Sequence, residues 1–151
     1  MIIKPDDLTA PEIIRFMHQH MDQMLAQTPA GSVHALDIDA LRHPDIAFWS
    51  AWIDDELAGC GALKHLTAEH AEIKSMRTAS KFRRRGVARN MLNHIENEAR
   101  RKGYKRLSLE TGALAEFESA RRLYSLGGYE FCERFGSYRN DPNSAFMTRL
   151  L

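Results

Sequence analysis

Thiols are scarce: the 151 residues hold two cysteines, Cys60 and Cys132, far apart and with no Cys-x-x-Cys pair. That spacing supplies no disulfide framework and no zinc knuckle. One bridge remains open to the pair, but two free thiols in a reducing cytoplasm are expected. The seven histidines form no His-Glu-x-x-His, and His18 and His20, two apart, cannot share a helix face. No metal is therefore expected. Long apolar runs are missing too. The longest, Ile46 to Ile53, is broken by Ser50 and falls well short of the ~18 residues of a membrane helix. Met1 to Asp7 shows no apolar stretch of a secretory leader, so a cytoplasmic protein with no membrane partner is expected. Charge of one sign is also lacking, because 21 Lys and Arg meet 20 Asp and Glu, for a net charge of +1. A dedicated nucleic-acid-binding domain carries a far larger basic surplus, so any basic feature must be local.

With 44% hydrophobic and 27% charged residues, the composition is that of an ordinary globular chain. A chain of this size buries roughly 68–70% of its unfolded surface, enough for a core without staples. No repeat, low-complexity tract or Ser/Gly linker divides it, so one domain over residues 1–151 is expected.

Hydrophobic spacing sets the expected elements. Ile2-Ile3-Lys4 reads as a short edge strand closed by Pro5. From Pro11 to about Gln27, Ile13, Met17, Met21, Met24 and Leu25 follow helical spacing, with Pro11 in the first turn. A shorter helix is expected from about Leu36 to Arg42. Ile46–Ile53, Leu57–Leu66 and Glu69–Thr78 then read as an antiparallel meander. The period changes from Arg85 to Lys102, where Ala88, Met91, Leu92, Ile95 and Ala99 form one stripe before Gly103. Tyr104–Glu110 alternates as a strand, Glu116–Leu126 is helical, and Tyr129–Cys132 and Ala145–Leu150 are closing strands. The order β-α-α-β-β-β-α-β-α-β-β gives an α/β mixed sheet with helices on both sides.

Two stretches carry chemical signals. In the first, a strand ends at Thr78, a loop bears Lys81, Arg83, Arg84, Arg85 and Gly86, and a long helix follows at once. The N–H groups at a helix start lack acceptors and carry about half a positive charge, so this is a cradle for an anion such as a pyrophosphate. Alone, the arginine run reads as a solvated charge cluster or a nucleic-acid patch. The loop lacks Gly-x-x-x-x-Gly-Lys, and Gly59-Cys60-Gly61 has Lys64 in place of a third glycine. Those two glycines therefore read as a bulge or close-approach site in a strand. The second signal is a slipped alternation: Ala71 and Ile73 are two apart, but the next large apolar residue, Met76, is three further on. One extra residue around Lys74-Ser75 keeps Ile73 and Met76 on one face, which marks a β-bulge.

Arg83-Arg84-Arg85-Gly86-Val87-Ala88 matches (Q/R)xxGx(G/A), and Ala120-x-x-Leu123-Tyr124-x-x-Gly127-Gly128-Tyr129-x-Phe131 is similar to A-x-x-L-Y-x-x-x-G-F. In both motifs, and in element order over nearly the whole chain, the sequence resembles the GNAT superfamily of N-acetyltransferases. The resemblance implies a GNAT-like acyl-CoA N-acyltransferase fold and transfer of acetyl from acetyl-CoA to a primary amine of a small molecule or peptide. The near-neutral charge leaves no nucleic-acid partner expected, and a monomer or homodimer is expected. The resemblance also implies that Met76, Arg77 and Thr78 border the pantetheine arm, with backbone contacts from Met76 and Thr78. Arg83, Arg84, Arg85, Gly86, Val87, Ala88 and Arg89 would surround the pyrophosphate, Arg83 in part as support for the loop. Phe117 stands where many members carry an asparagine, so one side-chain contact to the cofactor is altered.

By the same resemblance, Tyr124 sits where the leaving thiolate is met; the alternative is a tyrosine packed in the core. Glu72 corresponds to the base carboxylate of the histone-acetylating branch, or else is a solvated strand residue, and Glu110 is a second candidate base. A protonated amine has no lone pair, so a base is required, and a carboxylate of pKa ~4.3 serves only if burial raises it or a water relays the proton. Ser32, His34 and Asp37, with the last hairpin around Tyr138–Asn143, are candidate acceptor contacts. An imidazole titrating near pH ~6.5 could itself be the base. Two rival classes stay open: a non-catalytic acyl-CoA sensor, and a nucleic-acid module using Lys81–Arg85 with Arg100-Arg101-Lys102.

Overall fold

Alternating apolar residues on the meander strands and a single apolar stripe on each long helix produce a sheet covered on both faces. The computed structural model describes all residues, Met1–Leu151. Its strands are β1 (Ile2–Pro5), β2 (Ile46–Ile53), β3 (Glu56–His65), β4 (His70–Thr78), β5 (Arg106–Gly112), β6 (Glu130–Cys132) and β7 (Ser144–Leu150). The helices are α1 (Pro11–Gln27), α2 (Ile38–Leu41), α3 (Val87–Arg101) and α4 (Glu118–Leu126), with 3-10 turns at Ala30–Ser32, Ser80–Phe82 and Ala115–Phe117. The seven strands lie in the order β1-β2-β3-β4-β5-β7-β6. Every neighbour pair is antiparallel except β4 with β5, which is parallel. No helix is long and apolar enough to cross a membrane.

Successive residues of β2 show the two faces. Phe48 joins Cys60 and Ala62 against Ile13, Phe16 and Met17 of α1, while Trp49 joins Leu63 and Ile73 against Met91, Leu92 and Ile95 of α3. Each leucine, isoleucine, methionine or phenylalanine among them, fully buried, contributes roughly 1.5–3 kcal/mol. Helix α3 approaches Gly61 closely, since a Cβ there would lie 2.8 Å from both Ile95 and Met91. That close approach accounts for a glycine within β3. On the same side, buried Glu96 of α3 accepts hydrogen bonds from Tyr129 Oη (2.9 Å) and Arg149 Nη1 (2.6 Å), which ties α3 to β7.

Differences from the expected boundaries have local causes. Helix α3 starts at Val87 rather than Arg85 because Arg84 (φ 62°) and Gly86 (φ 81°) are left-handed. Helix α2 is a single turn that begins only after Asp37, whose carboxylate accepts the Ala40 N–H. Strand β5 begins at Arg106, after the left-handed Gly103, and runs on to Gly112.

The expected bulge is present. Cys60 pairs with Arg77 and Ala62 with Lys74, so two steps on β3 face three on β4, and Ser75 takes φ 56°. Beyond the bulge the sheet opens. Strand β4 pairs with β5 only from His70–Arg106 to Ile73–Leu109, while β5 stays paired to β7 as far as Gly112. The second half of β4 and the end of β5 therefore diverge.

A β-branched side chain is strained in the left-handed region by about 1–2 kcal/mol. Ser75→Val is accordingly expected to lower the unfolding free energy by that amount in a urea titration, and Ser75→Gly to leave it level or raise it. Equal effects from both would contradict a left-handed bulge.

Candidate active site

The turn into α3 presents uncapped backbone amides and a cluster of exposed cations. Phe82 is buried and anchors the loop from below, with the Lys81 ammonium 5.5 Å and the Arg85 guanidinium 5.2 Å from its ring centre. The Lys81 ammonium is already held by Glu56 at 2.6 Å. Arg83, Arg84, Arg85, Gly86 and Arg89 are exposed around the helix start. No side chain caps that start and no acidic residue stands in its first turn, so its N–H groups and partial positive charge face outward. Gly86 contributes both its left-handed turn and the absence of a side chain over these amides. The Val87 side chain is buried in the core, which leaves only its backbone to offer, and Ala88 is half-buried.

Beside the turn, the divergence of β4 from β5 forms a cleft. Ser75 and Met76 line one wall, Glu110, Thr111 and Gly112 the other, and Phe117, Ala120 and Tyr124 close the end. Thr78 is paired to Gly59, and Arg77 reaches α1, where it donates to Gln23 Oε1 (2.5 Å) and lies over the Phe16 ring. The Phe117 ring occupies the space above Gly112, where any Cβ would collide with it. Tyr124 is 5% exposed, its ring edge-on to Tyr129 at 5.8 Å. Burial alone pushes its phenol upward, so it remains a proton donor at neutral pH.

Three ionisable groups meet farther along the cleft. Glu72 is 2% exposed, so it is not the solvated strand residue that one sequence reading allowed. Its carboxylate accepts the Tyr138 hydroxyl and the Lys74 ammonium (3.2 Å), and Lys74 also donates to Tyr138 Oη at 2.8 Å. Burial and the Glu72 charge hold the Tyr138 phenol protonated. Glu110 follows the last β4–β5 pair and accepts the Ser144 hydroxyl at 2.7 Å. Burial raises its carboxyl above the ordinary range, partly opposed by the Ser144 hydrogen bond and by the His34 and Lys74 charges. Opposite stands His34, its ring edge-on to Tyr138 at 5.3 Å and its Nε2 3.5 Å from Asp141 Oδ2.

The two segments expected to frame an acceptor do meet, through Ser32 with Asn143 and His34 with Asp141 and Tyr138. Asp37 is placed elsewhere, capping α2 and lining a separate hollow beside α1. Sequence reasoning missed Lys74, the Tyr138–Glu72 bond and buried His20, whose imidazole burial holds neutral, down to about 4. Glu72-x-Lys74 was a readable signal, since residues two apart on a strand share a face.

Comparison with known proteins agrees with this geometry. The model of the acetyltransferase (GNAT) family matches residues 13–128. The chain is 53% identical, over all of both chains, to the uncharacterized N-acetyltransferase YsnE of Bacillus subtilis (strain 168). It is 48% identical to the uncharacterized N-acetyltransferase YedL of Escherichia coli (strain K12), over 99% of this chain and 94% of that one. An aminoglycoside 6'-N-acetyltransferase crystallised with coenzyme A shares the fold, with a TM-score of 0.74 at 15% identity over 99% of this chain and 97% of that one.

Because burial raises the Glu110 carboxyl, the folded state binds its proton more tightly than the unfolded state, and stability falls as pH rises through the window above 4.5. Glu110→Gln removes this loss. Chemical denaturation should find the variant more stable than wild type at pH 7, with the difference closing as pH falls towards 4.5. A difference independent of pH would contradict the assignment.

Proposed function

We propose that this chain, which belongs to the acetyltransferase (GNAT) family, transfers acetyl from acetyl-CoA to a primary amine of a small molecule or peptide by direct attack in a ternary complex. The observation that carries this reading is the opening between β4 and β5, flanked by the uncapped basic start of α3. The residues present fit the cofactor. A strand-like arm can follow the half of β4 that has no β5 partner, and a diphosphate fits a helix start free of acidic residues.

Bound acetyl-CoA would supply an activated acetyl group on a thiol leaving group. In this reading Gly86, Val87, Ala88 and Arg89 offer main-chain amides to the diphosphate, and Arg83, Arg84 and Arg85 add charge. Met76 and Thr78 offer backbone groups to the arm, Arg77 braces β4 against α1, and Phe117 and Tyr124 wall the end. The Tyr124 phenol is the proton source for the departing thiolate. Ordinary phenol and thiol pKa values differ by about 1.5 units, about 2 kcal/mol, and burial of Tyr124 widens that gap, so the phenol acts first as a hydrogen-bond donor to the thiolate and gives up its proton late.

Of the two carboxylates, Glu110 is the better base. Burial already favours its protonated form, and only one side-chain hydrogen bond satisfies it. Glu72 already accepts hydrogen bonds from Lys74 and Tyr138, so in this reading its oxygens hold those two side chains in place. His34 faces the same space and orients the acceptor together with Ser32.

Thiol release from acetyl-CoA, followed over a panel of amines, tests the reading. Tyr124→Phe should lower kcat by about a hundredfold or more while acetyl-CoA affinity stays near wild type. An unchanged kcat would remove Tyr124 from the chemistry. Glu110→Gln should abolish the acidic limb of the kcat/KM profile and Glu72→Gln should keep it; the reverse pattern would exchange their roles.

A further inference from the structure

Resting on the reading above, a second hollow opens outward from the cleft and shares His34, Glu72 and Lys74 with it. Its chemistry differs from that of the inner cleft. Lys64, Lys74 and Arg139 line it, and its two carboxylates, Glu72 and Asp141, are already engaged. Glu72 is taken by Tyr138 and Lys74, and Asp141 accepts the Asn143 N–H at 2.9 Å beside His34. Lys64 sits directly across from Glu72 on β3, yet it takes part in none of the chain's ion pairs, and neither does Arg139.

The Lys74 side chain is only 9% exposed. Its ammonium has three donors, of which Glu72 and Tyr138 take two, so one remains at the junction of the hollows. An ammonium this buried and anchored on two sides forms a preset donor, with Lys64 and Arg139 adding charge towards solvent. The inner end, near Glu110, suits the cationic amine; the outer end suits an anion. We propose that the acceptor is an amine that also bears a carboxylate, of the amino-acid class, with the carboxylate held by Lys74, Lys64 and Arg139 while its amine faces Glu110. Polycations such as polyamines or aminoglycosides meet the unpaired charges of Lys64 and Arg139 at the entrance and are disfavoured.

The experiment measures thiol release from acetyl-CoA with the proteinogenic amino acids, each matched to its carboxamide and its decarboxylated amine, and with spermidine. Acetyl-CoA binding is followed separately by calorimetry. A charge-assisted hydrogen bond predicts kcat/KM about tenfold or more higher for an acid than for its amide. Lys64→Gln and Arg139→Gln, at positions outside the core, should reduce that ratio through KM, while the distant Lys102→Gln should not. Amides, decarboxylated amines or spermidine turned over as well as the acids would overturn the inference. So would acetyl-CoA binding with no turnover of any acid, and in that case the cofactor cleft would stand. Absence of acetyl-CoA binding would remove the cleft reading and this inference with it.

Discussion

One constraint organises the molecule: β4 cannot stay paired to both of its neighbours along its whole length. An extra residue at the left-handed Ser75 keeps it in register with β3 and turns it away from β5 after Ile73. Backbone groups that a continuous sheet would consume are thereby left at the edge of a cleft, a vulnerability elsewhere but useful where a ligand takes the place of the missing strand. The loop that follows β4 then has a short path to the start of α3, so the cleft and the cationic helix start lie side by side. Packing sustains this arrangement, with α3 pressed onto the glycine-bearing part of β3 and tied to β7 through Glu96.

Charge is distributed unevenly along the cleft, and this gives each carboxylate a different task. Glu72 has its charge matched by Lys74 and a phenol; Glu110 is half-buried with a single side-chain hydroxyl as partner. Two similar side chains on adjacent parallel strands thus have different surroundings, one fully engaged by a lysine and a phenol and the other, on our proposal, the proton acceptor. Family membership establishes the class of chemistry, while our proposal for the acceptor rests on the outer hollow, where Lys64 and Arg139 take part in no ion pair.

Much of the fold was legible because its signals are local. The stripe of Met91, Leu92, Ile95 and Ala99 marks α3, the slip between Ile73 and Met76 marks the bulge, and Gly86 marks the turn ahead of the helix. Errors arose at element ends, where two left-handed residues delayed α3 and the Asp37 cap shortened α2. The strand, loop and helix start from Met76 to Arg89, proposed to hold the cofactor, were readable for the same reason, since they form one continuous stretch. The acceptor side was not, because Tyr138 with Glu72, and His34 with Asp141, are brought together only by tertiary folding. Lys74 in particular gains its meaning from a phenol on the loop between β6 and β7, which no spacing rule announces.

Site-resolved amide hydrogen exchange with and without acetyl-CoA tests the central claim most directly. If the free half of β4 receives a strand-like arm while the start of α3 grips a diphosphate, exchange should slow at Ser75–Thr78 and at Gly86–Asn90 together. Unchanged exchange in both segments at saturating acetyl-CoA, or protection confined to other elements, would contradict the account.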